Sequence, residues 1–425
     1  MFFDLPAFLR YNFKAIFHSR GKNYRLTPKR ALVLAIWLLI YLPGEIIYHL
    51  FLLLDEVFYP KYHQQEVNQP VFIIGNPRSG TTFLHQLMNE DVETFTSFKV
   101  WELIFAPSIL QRKLIWGGIR VAKWIGAPVQ KILRSFNKRM SKRTKAHAIR
   151  IDAAEEDDHI LIHSWSSATL WPLYPIPEEV LPYFYFDRDL PRSQQDRVMR
   201  QYKNMVQRHL YAHGGKLTLL SKNPAQSPKI ASLLRTFPDA RFINLARNPS
   251  ETLPSMMDYM ATGWRLFCDP VEEYPHQKDF FEVMGFYYRY PMEFFKDKPD
   301  TCYFIRYDNL IQNPQQMVSE VYEFLDLEIS PFYAGRLQQG AEKSKNFHSE
   351  HSYTIEKMNI TTQQIEDAFA DIFEFYEFPS EKTNLTDQGV FIQYSEWRLQ
   401  KKQRRRLKVK KRRKIQLKAK EIRLE

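Results

Sequence analysis

Cysteine is almost missing. Cys268 and Cys302 are the only two in 425 residues, which allows one disulfide at most and excludes a disulfide framework. Two thiols suit a reducing compartment. No Cys/His cluster has zinc spacing, so no metal is expected. Residues 1–30 lack the layout of a secretory signal, and a cytoplasmic location is expected. There is no internal repeat. Acids are absent from residues 111–150, which hold 12 Lys or Arg. They are scarce in residues 398–425, where 15 Lys or Arg face only Glu421 and Glu425. That tail accounts for more than the whole net charge of +12. It also lacks aromatics, which argues against sequence-specific nucleic-acid recognition and leaves lipid or phosphate contacts.

Three regions follow: an apolar or amphipathic extension over 1–65, a body of strand–helix alternation over 66–395, and a basic low-complexity tail over 396–425. The extension is apolar from Ala31 to Leu54, with Pro43-Gly44-Glu45 expected to break it. About 20 such residues can cross a bilayer, but a Glu near the centre is costly. Packing on the body, lying on an anionic membrane and spanning it all stay open. Residues 110–136 are amphipathic and basic, with two readings: a helix covering the sheet, or a membrane-surface helix.

Residues 71–82 read Val-Phe-Ile-Ile-Gly-Asn-Pro-Arg-Ser-Gly-Thr-Thr. Val71 to Ile74 predict a buried parallel strand. A tight turn runs from Gly75 to Gly80, and a helix opens at Thr81 with Phe83, Leu84, Leu87 and Met88 as its apolar stripe. Strand, glycine-bounded loop and helix make a phosphate cradle. The spacing is that of a P-loop, but Thr81 stands where that motif needs Lys. Arg78 lies inside the loop instead, and its planar fork suits a tetrahedral oxyanion.

Farther along, Arg241 to Ala246 predict a strand, Arg247-Asn248-Pro249 end it, and a helix starts near Ser250. Leu217 to Ser221 predict another strand, ending at Lys222-Asn223-Pro224. Cys302 to Ile305 predict a further strand, and Met317 to Leu325 an amphipathic helix.

Pro-Arg-Ser-Gly-Thr-Thr after a hydrophobic strand resembles the 5′-phosphosulfate loop of the sulfotransferase family, in its broad bacterial-type group. The resemblance spans about residues 70–375. It implies a three-layer α/β fold with a central parallel sheet, and 3′-phosphoadenosine 5′-phosphosulfate (PAPS) as co-substrate. Arg78, Ser79, Gly80, Thr81 and Thr82 would hold the 5′ end. Arg247 and Ser255 resemble the 3′-phosphate clamp, and Lys222 matches the place of the lysine that neutralises the leaving group. The His that follows this Lys in phenol- and steroid-sulfating members is replaced by Asn223. Their Arg-Lys-Gly signature is also absent, with only a loose basic loop after Lys343. The general base is therefore sought at Glu102 or at Glu156, within Glu155-Glu156-Asp157-Asp158-His159.

The expected activity is transfer of a sulfuryl group to a hydroxyl or amine of a small-molecule, carbohydrate or lipid acceptor, with peripheral contact to an anionic membrane. Two rivals are a P-loop phosphotransferase and a membrane- or nucleic-acid-associated binding module on a degenerate nucleotide fold. The aromatic, proline-rich stretch from Trp171 to Phe186 is read either as an acceptor pocket or as a core-covering loop.

Overall fold

The computed structural model describes residues 3–18, 23–126, 150–345 and 358–379, with a few isolated positions between 127 and 149. The basic tail at 396–425 and most of the basic loop after Lys343 lie outside these residues.

The predicted strands form, each as a run buried on both sides: Val71–Gly75 (β1), Thr218–Lys222 (β3), Arg241–Ala246 (β4) and Cys302–Arg306 (β5). A two-residue strand, Phe95–Thr96 (β2), joins them. Together they make an all-parallel sheet in the order β2-β3-β1-β4-β5. Period-two alternation divides their side chains. Phe72, Ile74, Phe242 and Phe304 enter one core, and Val71, Ile73, Ile243 and Ile305 the other. Helices Thr81–Asn89 and Pro314–Leu325 cover the second core. Helices Arg192–Ala212, Pro249–Phe267 and Gln277–Phe295 cover the first. The molecule is thus a three-layer α/β sandwich.

The sheet order places the site. From the central β1 the chain visits the far edge at β2, returns to β3 beside β1, then crosses to β4 on the other side. The reversal leaves a crevice outside the carboxyl ends of β3, β1 and β4. Ile73 pairs with Lys222 and Gly75 with Leu245. Lys222 and Arg247 therefore leave the sheet on either side of the loop that follows β1.

The extension contributes two helices, Leu5–Phe17 and Pro28–Phe58. The expected break at Pro43-Gly44-Glu45 does not occur. Pro43 forgoes one helical N–H, but both it and Gly44 are exposed and Gly44 touches nothing. The turns around them are anchored, Tyr41 by the Trp165 indole at 2.8 Å and Glu45 by His163 at 2.5 Å. Packing thus overrides the local breaker. The 110–136 segment is helical over Ile109–Trp124. It packs on the long helix and on Arg192–Ala212, with Leu114 and Trp124 exposed rather than covering the sheet. The Trp171–Phe186 stretch is core: Trp171 and Tyr174 are fully buried, and Trp171 stacks on Phe280 at 5.0 Å.

Candidate active site

The loop after β1 is built by contacts that only its own residues permit. Gly75 has φ +141°, and a Cβ there would lie 2.1 Å from the Leu245 carbonyl oxygen. Its N–H donates to Ser227 Oγ and its carbonyl accepts from the same hydroxyl, both at 3.0 Å. Arg78 adopts φ +68° and Gly80 φ +89°. A Cβ on Gly80 would meet the Tyr307 ring at 2.5 Å. The helix opening at Thr81 has no side-chain cap, so its first N–H groups stay available to an anion. Ser79 Oγ is buried and has no hydrogen-bond partner among the described residues. An orphaned donor of this kind is costly unless something outside the chain satisfies it.

The helix that follows β4 closes on this loop. The Arg78 Nε donates to Ser255 Oγ at 3.0 Å. The Arg247 guanidinium lies 4.4 Å over the Tyr307 ring, whose edge abuts Gly80. Arg78 and Ser255, and Gly80, Tyr307 and Arg247, are thus joined by contacts around the loop after β1. Arg247 is oriented by Glu251, which accepts from its Nε at 2.9 Å, and its carbonyl accepts from the Tyr288 hydroxyl. Asn248 caps the helix, accepting from Ser250 N at 2.8 Å. The helix begins at Pro249, one residue before the expected start.

Lys222 is buried at the end of β3, and its Nζ donates to Glu156 Oε1 at 2.9 Å. Glu155 stands 3.9 Å away. The other acids of this run face inward. Asp157 accepts from the Tyr202 hydroxyl and from Asn223 at 3.3 Å. Burial pushes its carboxyl up, against the hydrogen bonds from Tyr202, Ser221 and Asn223. Asp158 is held by Lys229 and Ser167. The run continues as a 3₁₀ helix over Asp157–Ser164. One pair thus meets Lys222, and the next pair fastens the segment to the core.

Glu102 is placed elsewhere. It is fully buried and caps its own helix, accepting from Lys99 N at 2.9 Å and from His213 Nε2 at 2.8 Å. Arg112 lies 4.0 Å and His209 3.8 Å away. Burial drives its carboxyl up, but the Arg112 charge and the His213 hydrogen bond outweigh that and hold it well below the usual range. No loop residue is among these partners. The ligand-type atoms of Glu102, His209 and His213 lie within 4.8 Å of one another. The positive charge at that point comes from Arg112, which donates to His209 Nδ1 at 3.1 Å.

Two side chains at the cleft escaped the sequence reading. Tyr307 follows β5, and nothing local marks it as a neighbour of Gly80. Tyr259 lies one turn beyond Ser255 on the same helix, and that i+4 spacing could have found it. Burial raises the Tyr259 hydroxyl, Glu156 and Glu155 raise it further, and Arg78 opposes them. His85 is buried beside Ser97 at 3.0 Å, and burial and the Lys222 charge push it down to about 3. It stays neutral at neutral pH.

A family model described as the sulfotransferase family matches residues 70–331, more than half of the chain. The chain belongs to the sulfotransferase family. It is 24% identical over 319 residues to the omega-hydroxy-beta-dihydromenaquinone-9 sulfotransferase Stf3 of Mycobacterium bovis, covering 73% of this chain and 75% of that protein. The Mycobacterium tuberculosis protein of that name matches equally. In fold it is similar to sulfotransferase STF9 of Mycobacterium avium, with TM-score 0.64 and 17% identity over 84% of this chain and 88% of that one. For STF1 of Mycobacterium tuberculosis the values are 0.60 and 18%, over 86% and 91%. This sulfotransferase is thus an enzyme of sulfuryl transfer on a bacterial-type α/β scaffold.

Proposed function

We propose that this sulfotransferase moves a sulfuryl group from PAPS to a hydroxyl or amine of a small, lipid-like acceptor. The observation carrying this reading is that both cations converge on the loop after β1, Arg78 through Ser255 and Arg247 through Tyr307. PAPS, when bound, supplies a sulfuryl group on a phosphate leaving group. It carries a second anion at its 3′ position, and the cleft offers one cationic element for each.

Arg78, Ser79 and Gly80 with the N–H groups of Thr81 and Thr82 hold the 5′ end, and the orphaned Ser79 hydroxyl gains its partner there. Arg247 and Ser255 hold the 3′-phosphate. Lys222 neutralises charge developing on the bridging oxygen. Glu156, bonded to Lys222 and one-third exposed, takes the acceptor proton. Glu102 is buried and committed to Arg112 and His213, so Glu156 is the better base. Three cations supply the charge stabilisation, and no metal is needed in this reading. The lipid-like acceptor class rests on the relative Stf3, an omega-hydroxy-beta-dihydromenaquinone-9 sulfotransferase. A cytoplasmic site with membrane attachment through residues 31–54 fits such an acceptor.

The test is thermal stabilisation by adenosine 3′,5′-bisphosphate without magnesium. At a hundredfold excess over Kd, binding adds about 2.7 kcal/mol. A clear shift is expected. No shift, alongside a shift with ATP and magnesium, would turn the assignment to a P-loop phosphotransferase.

A further inference from the structure

The helix Pro28–Phe58 is long and apolar enough to cross a membrane, yet its sides differ sharply. One stripe is buried: Arg30, Leu34, Tyr41, Glu45, Tyr48, Leu52 and Asp55. The other side exposes Ile36, Leu39, Ile40, Ile46, Ile47 and Leu53, each by about half or more. Only 22% of its most apolar 18-residue window is buried, far less than a core helix requires.

The buried stripe is fastened along the whole length. At one end Lys29 Nζ donates to the Arg265 carbonyl at 2.7 Å and to Asp269 at 3.0 Å. In the middle Glu45 meets His163, and Tyr48 stacks on that ring at 3.9 Å. At the far end Asp55 accepts from Arg208 at 3.2 Å and from the N–H groups of Ile109 and Leu110. A 31-residue helix is about 46 Å long. To span a bilayer it would carry these charged partners, and the body attached to them, into hydrocarbon.

Two neighbours extend the exposed face. Helix Leu5–Phe17 exposes Leu5, Leu9, Phe13 and Phe17, and Phe3 before it touches the His49 ring at 5.8 Å. Helix Ile109–Trp124, whose first two N–H groups donate to Asp55, exposes Leu114, Val121 and Trp124, the last by 86%. The three helices contain only three acids, all in the long one. Glu45 and Asp55 are buried, and Glu56 is taken by Arg208 and Tyr62. Lys113, Arg120 and Lys123 are exposed beside the apolar side chains. A cavity of about 220 Å³ between the long helix and Arg192–Ala212 is lined by Arg200 and by the Arg208–Glu56 pair. An apolar face bordered by exposed Lys and Arg matches the headgroup–acyl boundary of an anionic bilayer.

We propose that these three helices form one platform that lies flat in a single leaflet of an anionic membrane, without crossing it. The platform adjoins the cleft. The helix Pro249–Phe267 carries Ser255 near one end, and its other end meets Lys29. About twelve residues, or roughly 18 Å of helix, separate the two. An acceptor dissolved in the leaflet therefore lies within reach of the cleft. The platform rests on packing alone and stands or falls independently of the PAPS reading.

The experiment is flotation of the full chain with vesicles of phosphatidylcholine plus phosphatidylglycerol, against phosphatidylcholine alone, with no donor or acceptor added. At least about tenfold more protein should float with the anionic vesicles, and salt should weaken the binding. The double substitution Ile40→Glu with Ile47→Glu should abolish flotation while leaving the circular-dichroism melt in place. Leu26→Cys and Lys61→Cys, at opposite ends of the long helix, should both react with an impermeant maleimide added outside sealed vesicles. Protection of one of them only would show a span and overturn the proposal. Absence of flotation, with a dimer in light scattering that the Ile40→Glu variant dissociates, would assign the face to a second copy instead.

Discussion

Arg78 and Ser255, 177 residues apart, meet at 3.0 Å through the guanidinium Nε and the serine hydroxyl. This bond joins the loop after β1 to the helix after β4. It also orients a cation that adopts a positive φ, a conformation few non-glycine residues accept. A donor bound across both elements would then find them already aligned.

The bond is open to a double-mutant cycle. Arg78→Ala and Ser255→Ala should each weaken binding of adenosine 3′,5′-bisphosphate. Their effects should be non-additive by about 1 kcal/mol, because each removes a partner of the other. Titration calorimetry on the four proteins reads this. Strict additivity would show that the two residues act on the ligand separately.

Glu156→Gln should lower kcat by about 10²- to 10⁴-fold, the usual range for a general base, with little change in donor affinity. The low-pH limb of the kcat profile should vanish with it. Lys222→Ala should lower kcat by about 10²-fold or more through lost leaving-group stabilisation, while keeping that limb. Steady-state rates across pH separate the two roles.

Glu102→Gln tests a different role. Breaking a buried charge cluster should cost about 3 kcal/mol at neutral pH. The folded-state carboxyl is held below its ordinary value, so its contribution is complete above the unfolded pKa, about 4.3. It is lost as pH falls below that value, because the unfolded chain then takes up the proton first. Denaturant midpoints should show the gap between wild type and variant narrowing below about pH 4.3. A constant gap would remove the electrostatic account.

Two glycines should respond oppositely to alanine. Gly75→Ala places a Cβ 2.1 Å from a backbone oxygen at positive φ and should cost more than about 3 kcal/mol. Gly44→Ala meets open space inside a helix and should stabilise by about 0.5–1 kcal/mol. Thermal melts of both variants decide this.

The sheet and its loop were legible because their signals are local. Val71 to Ile74 announce a doubly covered strand, and the spacing from Gly75 to Gly80 announces the turn. The ends of β3 and β4 were marked by Lys222-Asn223-Pro224 and Arg247-Asn248-Pro249. What stayed hidden depends on distant partners. Glu102 looks like a base until Arg112, His209 and His213 close around it from two other helices. Tyr307 reaches Gly80 only because β5 lies beside β4, and no spacing shows that. Pro43-Gly44 reads as a breaker by local preference, and tertiary anchors at Tyr41 and Glu45 reverse it.

Asp55, in the last turn of the apolar helix, holds Arg208 and accepts from the first two N–H groups of the helix that begins at Ile109. One carboxylate from the extension therefore serves two elements of the body. A shortened protein beginning near residue 66 would be cut off from its own electrostatics. It would keep a guanidinium in the interior with its counter-ion amputated, and the first two N–H groups of the helix at Ile109 would lose their acceptor. Soluble expression of this enzyme is better sought by softening the outer side of the long helix than by deleting it.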